Sequence, residues 1–357
     1  MKRLLICDTL YQIIVCIQLC NTLFKEDTVD FWISDHTTGS EEIVKRLRNE
    51  DIAHKVSYIQ TKSIIYADGI IKKLIATLRY GLGNESVEDI DTYDEIAYYS
   101  GSSIIYGLLS ICEKKKINVS WARFEEGIFS YETDHSISKG VKLLDIMRRI
   151  QGKETLSEKV SKYYCFFPQL KDRKAGIDVI KIPSIETNIE LIRGQLSRVF
   201  NFQEIEIPQK YIFFASSSDI DGHPFGETEA IVKVAETVGK GDIIVKIHPR
   251  DTRLVFNELG IETLQATGVP WEVFQICSDL KDKCLVTVTS GAFINCAALL
   301  NKLGSKCFFI YPCINSQEES FRAKISELDE YLSRMDDAGL LTNVYKAKTL
   351  DDLCGAV

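Results

Sequence analysis

The stretch DIIVKIHPRD, residues 242–251, is an apolar run that stops at an imidazole and a guanidinium with a proline between them. Burial of an apolar strand calls for neither side chain at that point, whereas a bound anion would use both. Lys246 and His248 are two residues apart, so on a strand they face the same side. His248 could donate to a phosphate oxygen, or protonate it as it leaves. Arg250 adds another cation, and Pro249 fixes the turn. Farther on, CLVTVTSGAFINCAALL places Thr289, Ser290 and Gly291 where an apolar run gives way to a helical pattern. A helix start points unpaired N–H groups outward and is a ready anion site; hydroxyls add donors, and glycine lets a ligand approach the backbone.

Carboxylates stand at two comparable places. RFEEG closes an apolar run with Glu125, Glu126 and Gly127, and YIFFASSSDIDG carries Ser217, Ser218 and Asp219 just past another. Asp219, Glu125 and Glu126 are candidate general bases for a hydroxyl nucleophile. Asp219-Ile220-Asp221 is also a D-x-D triplet, a pattern that can hold a divalent metal against a diphosphate; the reading taken here has no metal. Each cluster has a plain structural account as well. EEG can be a solvated turn, TSG a helix cap, SSSDIDG a polar loop, and His248 a strand-end residue. Their shared placement at the ends of apolar runs is the argument for chemistry. His36, His54, His135 and His223 are assigned to surface or core, although His223 repeats the His–Pro pair in DGHPFG.

The elements that would position these clusters alternate. RLLIC, DFWIS, KVSYI, EIAYYS and VSWARF read as strands in the first half, with helical spacing over 10–24, 40–50, 63–80 and 103–115. KYIFFA, DIIVKI, KCLVTV and KCFFIY follow in the second, separated by helical patterns near 227–238, 270–278, 292–302 and 316–335. Such alternation implies parallel sheets with crossover helices. Ligands then bind beyond the carboxyl ends of the strands, where all four clusters fall. The expected fold is α/β: two Rossmann-like domains, 1–195 and 196–357, with the clusters lining an interdomain cleft; a single large doubly wound sheet is the competing layout. The junction is placed near 185–208, after YYCFFPQLKDRKAGIDVIKIPSIETN.

Bulk composition narrows the classes. With 45% hydrophobic and 26% charged residues, the chain has a globular composition. A net charge of −8 argues against sequence-independent nucleic-acid binding, which needs a basic surface. Eleven cysteines lack metal spacing. Cys7, Cys16, Cys20, Cys277, Cys284, Cys296 and Cys307 lie in apolar runs, as reduced thiols of a cytoplasmic protein do. Asp8, Thr9 and Gln12 interrupt the apolar N-terminal run, against a signal peptide. No apolar stretch approaches the ~20 residues of a membrane span. SIIYADGIIKKLIATLRYGLG, with Lys72, Lys73 and Arg79, has the spacing of either a core-facing helix or an interfacial one.

Taken in order, these motifs resemble glycosyltransferase family 52, the bacterial sialyltransferases of lipooligosaccharide and capsule synthesis. Glu125-Glu126-Gly127 is similar to the family's acidic-acidic-Gly motif, and ASSSD to its small-residue loop ending in Asp. His248-Pro249-Arg250 and Ser290-Gly291-Ala292 match its two other motifs, and ICDTLYQ its first strand and loop, with Thr9 and Gln12 near the cleft. The resemblance implies a GT-B-like fold of two Rossmann-like domains whose parallel sheets face an interdomain cleft, a CMP-sialic acid donor, a glycan acceptor ending in galactose, and inverting transfer with neither metal nor cofactor. It makes Asp219 the base, His248 the acid or phosphate partner, Ser290 a phosphate contact and Glu272 the ribose holder. The stretch after Asp219 carries extra residues, DGHPFGE, so Glu126 and Glu125 remain alternatives for the base. Dimers formed by exchange of elements complete the implied picture; contact with the inner face of the cell membrane is instead an expectation from the SIIYADGIIKKLIATLRYGLG stretch. Two other functions stay open: transfer of another nucleotide-activated sugar through the D-x-D pair, and non-catalytic nucleotide or glycan binding.

Overall fold

The computed structural model of the protein describes all but residues 38, 66–68, 89, 91, 132–137, 173–175, 217–224, 248–254, 265–268, 301–303 and 356–357, and leaves out the side chains of 65, 128, 129, 293, 297 and 298. The described chain divides into two compact units, Met1–Phe200 and Asn201–Val357.

The first unit is built on β1 (Lys2–Cys7), β2 (Thr28–Ser34), β3 (Lys55–Ile59), β4 (Glu95–Tyr98), β5 (Ser120–Phe124), β6 (Val160–Cys165) and β7 (Asp178–Lys181). They pair in the order β3-β2-β1-β4-β5-β6-β7, each neighbour parallel. A parallel strand is covered by helices on both faces, so its sequence is a continuous apolar run rather than an alternation. Leu4, Leu5, Ile6 and Cys7 of β1 accordingly stay within 3% of full burial. Polar residues that begin helices accept from the first turn: Thr9 caps Leu10–Asn21, Ser102 caps Ser103–Lys115, and Ser138 caps Lys139–Ile150.

The second unit repeats the plan with β8 (Tyr211–Phe214), β9 (Ile243–Lys246), β10 (Glu262–Leu264), β11 (Cys284–Thr287), β12 (Lys306–Phe309) and β13 (Val344–Lys346). Their order is β10-β9-β8-β11-β12-β13, again parallel throughout. In each unit the strand order reverses beside the first strand, between β1 and β4 and between β8 and β11. Those are the topological switch points where crevices open at strand carboxyl ends.

The strands read from the sequence are all present. Four more, β6, β7, β10 and β13, are added. Two of them lie inside the segment read as leading into the junction. The first half of YYCFFP ends β6, with Tyr163, Tyr164 and Cys165 buried; an apolar run without alternation carries no period to mark a strand. The helix Ile189–Val199 stays whole with the first unit. Arg46 Nε donates to the Val199 carbonyl at 2.6 Å, and Asn21 Nδ2 to Gln195 Oε1 at 2.6 Å. Arg198 meets both carboxylate oxygens of Glu50 at 2.7 and 2.8 Å. The position 195/196 therefore falls within a helix, and the division comes after Phe200. The 63–80 pattern resolves into the helices Lys62–Ile65 and Ile70–Gly81.

A buried ionic knot ties the amino ends of the first sheet. Glu95, fully buried on β4, accepts from Arg3 Nη1 on β1, from Lys162 Nζ on β6 at 2.7 Å, and from Tyr164 at 2.9 Å. Arg3 also reaches Asp27 at 2.7 Å. Removing the shared anion would strand two cations. Glu95→Ala is expected to cost about 3–5 kcal/mol in the unfolding transition of the first unit, read by urea titration.

Candidate active site

At the switch point of the first unit the chain leaves β1 as Asp8-Thr9 and enters the helix Leu10–Asn21. The Gln12 N–H donates to Thr9 Oγ1 at 3.3 Å, which fixes the helix start. Gln12 Oε1 accepts from the Asp8 N–H at 2.6 Å, leaving its amide hydrogens to point elsewhere. The side chains of Thr9 and Gln12 stand beside Glu126 and, as hydrogen-bond donors, oppose the rise in its proton affinity. DTLYQ and EEG, more than a hundred residues apart, thus converge on one carboxylate.

Glu126 owes its position to Glu125. That preceding residue is wholly buried, its Oε1 accepting from Tyr11 at 2.9 Å and its Oε2 from Tyr131 and from the Phe166 N–H at 2.8 Å. Tyr131 receives the Phe167 N–H in turn at 3.1 Å. Gly127 follows at φ 73°, a left-handed conformation that a side chain would strain, and the chain folds back so that the Glu126 N–H donates to Ser130 Oγ. The two glutamates of the motif therefore stand in different surroundings. Glu125 has its oxygens filled and no exposure; Glu126 is half-buried at the strand end.

Burial governs the electrostatics. The Glu125 carboxyl is pushed up to about 7 by desolvation, which its three neutral donors only partly offset. Glu126 is also raised, by desolvation first, with the nearby charge of Asp8 adding to the rise and the Thr9 and Gln12 hydrogen bonds opposing it. Asp8 is raised as well, mainly by burial, with a hydrogen bond from Ser34 and the charge of His36 opposing.

In the second unit, β9 ends at Lys246, half-buried, and the helix Trp271–Cys277 places Glu272 close enough for their charges to interact. Burial moves both toward their neutral forms: the Lys246 ammonium is lowered and the Glu272 carboxyl raised, each effect opposed by the other's charge. Glu272 Oε1 accepts from Asn295 Nδ2 at 3.3 Å. Beyond β11, Thr287 Oγ1 donates to the Phe214 carbonyl at 3.0 Å and accepts the Ser290 N–H at 3.0 Å, while Ser290 Oγ accepts the Ala292 N–H at 3.3 Å. TSG is therefore partly a cap, and two of the amides expected to face an anion are used locally. The Thr289 hydroxyl is different: buried, with no hydrogen-bond partner among the described residues. Gly291 leads directly into the helix Ala292–Leu300, and its carbonyl accepts the Asn295 N–H at 3.0 Å.

Ser217, Ser218, Asp219, Asp221, His223, His248, Pro249 and Arg250 lie outside the described residues. The loop leading to them is anchored by Ser216, whose N–H and Oγ both donate to Glu227 Oε2 at 2.8 Å. Among the described residues no cluster of histidine, cysteine and carboxylate has metal-holding geometry. Sequence reasoning passed over Tyr11, Tyr131, Asp8 and Glu227. Tyr11 stands between Thr9 and Gln12, and that adjacency was the one available signal; Tyr131 and Glu227 are placed by tertiary contacts alone.

Two Rossmann-like units, each a parallel sheet with polar residues at its switch point, make an α/β fold of the GT-B type. A glycotransferase of kitacinnamycin superposes with a TM-score of 0.55 at 11% identity, over 99% of this chain and 89% of that one. An alpha/beta-galactoside alpha-2,3-sialyltransferase from Photobacterium phosphoreum superposes at 0.51, with 11% identity over 99% and 98%. The family model of alpha-2,8-polysialyltransferase matches residues 30–304, and the chain belongs to that family. This agrees with the resemblance drawn from the motifs at the level of sialyltransferases. No curated protein matches the chain in sequence.

The buried Glu125 makes a stability prediction. Between about pH 4.5 and 7 the native state keeps a proton on Glu125 that the unfolded chain has lost. Stability should therefore fall as pH rises through that window and level off above it, by up to about 3 kcal/mol. Glu125→Gln should flatten this part of the profile, measured by urea unfolding at pH 5 and pH 8.

Proposed function

We propose that the protein is a metal-independent, inverting sialyltransferase that uses CMP-sialic acid and extends a surface glycan. What carries this reading is Glu126: a half-buried carboxylate at the end of β5, beside the switch point, held by Thr9 and Gln12 and made more basic by burial and by Asp8. A base so placed takes the proton from an acceptor hydroxyl as that oxygen attacks the anomeric carbon. The bond from that carbon to the phosphate oxygen breaks, and cytidine monophosphate leaves. Glu125 is assigned the positioning of Glu126, since its own oxygens are occupied. Asp219 is the rival base.

In the second unit the leaving phosphate is assigned to Lys246, the Thr289 hydroxyl, Ser290 and Gly291, with His248, Pro249 and Arg250 completing the cradle and Ser217 and Ser218 flanking it. A monophosphate carries less charge than a diphosphate, and a cation, a helix start and hydroxyl donors suffice to stabilise it. The buried Thr289 hydroxyl has no hydrogen-bond partner among the described residues, and a phosphate oxygen would supply one. Glu272, held by Asn295, is assigned the ribose. The description of the family favours a terminal sialic acid over galactose as the acceptor.

The test is transfer from CMP-sialic acid, in EDTA, to short glycans ending in sialic acid or in galactose. Turnover in EDTA is expected, and a strict need for a divalent metal would favour the D-x-D reading instead. Glu126→Gln and His248→Ala should each lower kcat by about 10²–10⁴-fold while donor binding persists. A fully active Glu126→Gln with an inactive Asp219→Asn would move the base to Asp219.

The pH profile gives a second, independent reading. Glu126 acts as the carboxylate, so activity falls as pH drops through its pKa. Asp8 raises that pKa, so Asp8→Asn should move the acidic limb of kcat to lower pH.

A further inference from the structure

Arg123 breaks the pattern of the strand that carries it. β5 reads SWARF, and a parallel strand covered on both faces has no place for a charge along its length. Register puts Tyr98, Arg123, Tyr163 and Val179 in one row across β4, β5, β6 and β7, so all four project from the same face of the sheet. Tyr98 and Tyr163 are buried, whereas Arg123 and Val179 are half-buried, because this face is hollow toward β7. The hollow holds about 540 Å³ of empty space, its open mouth included, which is room for a small organic molecule.

The lining is mostly cationic and aliphatic. Arg123 Nε donates to the Tyr99 carbonyl at 2.7 Å, and the guanidinium lies 5.6 Å from the centre of the Tyr99 ring. A guanidinium has five N–H donors. The four on the terminal nitrogens of Arg123 have no hydrogen-bond partner among the described residues, and the group has no ion pair there. Lys171 adds a second positive charge; its Nζ donates to the Ser130 carbonyl at 2.6 Å and stands 4.5 Å over the Tyr163 ring. Asp172 is the acid of the lining, and it is exposed. Val160, Ile177 and Val179 supply an apolar wall. A half-buried guanidinium with its fork unfilled suits a group that takes two parallel hydrogen bonds, a carboxylate or a phosphate. The wall selects between them. Bare phosphate gains nothing from aliphatic side chains, whereas the carbon body of an organic acid is buried against them.

We propose that this hollow binds an organic carboxylate, its acid on the terminal nitrogens of Arg123 and its carbon body on Val160, Ile177 and Val179. Two sources share that chemistry: an acidic sugar of a glycan, and a free hydroxy acid. The hollow is separate from the switch point but joined to it through Ser130. The carbonyl that takes Lys171 also takes the Tyr163 hydroxyl at 2.7 Å, and Ser130 Oγ receives the Glu126 N–H. Only the choice of a sugar acid rests on the sialyl-transfer reading. Carboxylate binding is measured without turnover, so either can fail alone.

Equilibrium dialysis of the full chain is run with methyl α-N-acetylneuraminide, its uncharged carboxamide, quinate and inorganic phosphate. At least one of the two carboxylates should bind, with the carboxamide and phosphate about tenfold weaker or more. Binding of the sugar acid supports the glycan as source, and binding of quinate alone supports a free acid. Arg123→Gln should weaken carboxylate binding about tenfold or more. Val179→Glu brings a carboxylate of the chain's own to the guanidinium and should do the same, with melting temperature near the native value. Carboxylate binding that survives both substitutions, phosphate or carboxamide binding as tight as that of the carboxylates, or no carboxylate binding by the native chain would overturn the proposal.

Discussion

A carboxylate taken wholly out of water must have its oxygens satisfied from within the protein, and Glu125 imposes that condition on the first unit. Its donors come from three separate segments: Tyr11 from the first helix, Tyr131 from the turn after β5, and the Phe166 amide from the end of β6. Each donor is held elsewhere by burial or by the backbone. Moving any one would leave a buried charge short of a hydrogen bond, so the loop 125–131 has one arrangement. That arrangement turns Glu126, the next residue, toward Thr9 and Gln12. The chemically available carboxylate is placed by the unavailable one.

The same sheet carries a second buried glutamate at its opposite end, and the contrast is instructive. Glu95 is met by two cations and a phenol, which compensate its charge and make it a structural tie between β1, β4 and β6. Glu125 is met by neutral donors only, so burial is not fully offset and its proton affinity rises. The amino ends of the strands are thereby sealed with matched charge. The carboxyl ends keep carboxylates whose pKa burial raises, to about 7 for Glu125, and in a parallel sheet those are the ends where ligands bind.

Both units place their polar groups by one rule. A strand covered on both faces can carry only apolar side chains along its length, so a residue with chemistry must wait for the strand's end. Asp8, Glu126, Lys246 and Thr289 all stand at such ends, and the reversal of strand order leaves room above them. The helix Ile70–Gly81 departs from the rule that large aliphatics turn inward. It packs through its carboxyl-terminal half, where Thr77 and Gly81 are buried against Gly140 and Leu144, while residues 70–75 stay exposed.

Much of this was readable from residue order. The alternation of apolar runs and helical spacing determined two parallel α/β units, because burial on both faces erases the strand period and crossover helices restore theirs. HPR, TSG, EEG and ASSSD could be recognised as candidate sites because each interrupts an apolar run with groups that burial alone does not favour. Strands β6 and β7 escaped notice, since six apolar residues in YYCFFP look the same in a strand, a buried helix or a linker. Which glutamate of EEG is exposed could not be read from two identical neighbours. Only the fold decides it, because the donors that fill Glu125 lie between six and more than a hundred residues away along the chain. The sequence by itself determined which residues are available for chemistry. The tertiary structure decided which of them meets solvent, because desolvation and hydrogen-bond partners are properties of a place and not of a residue type.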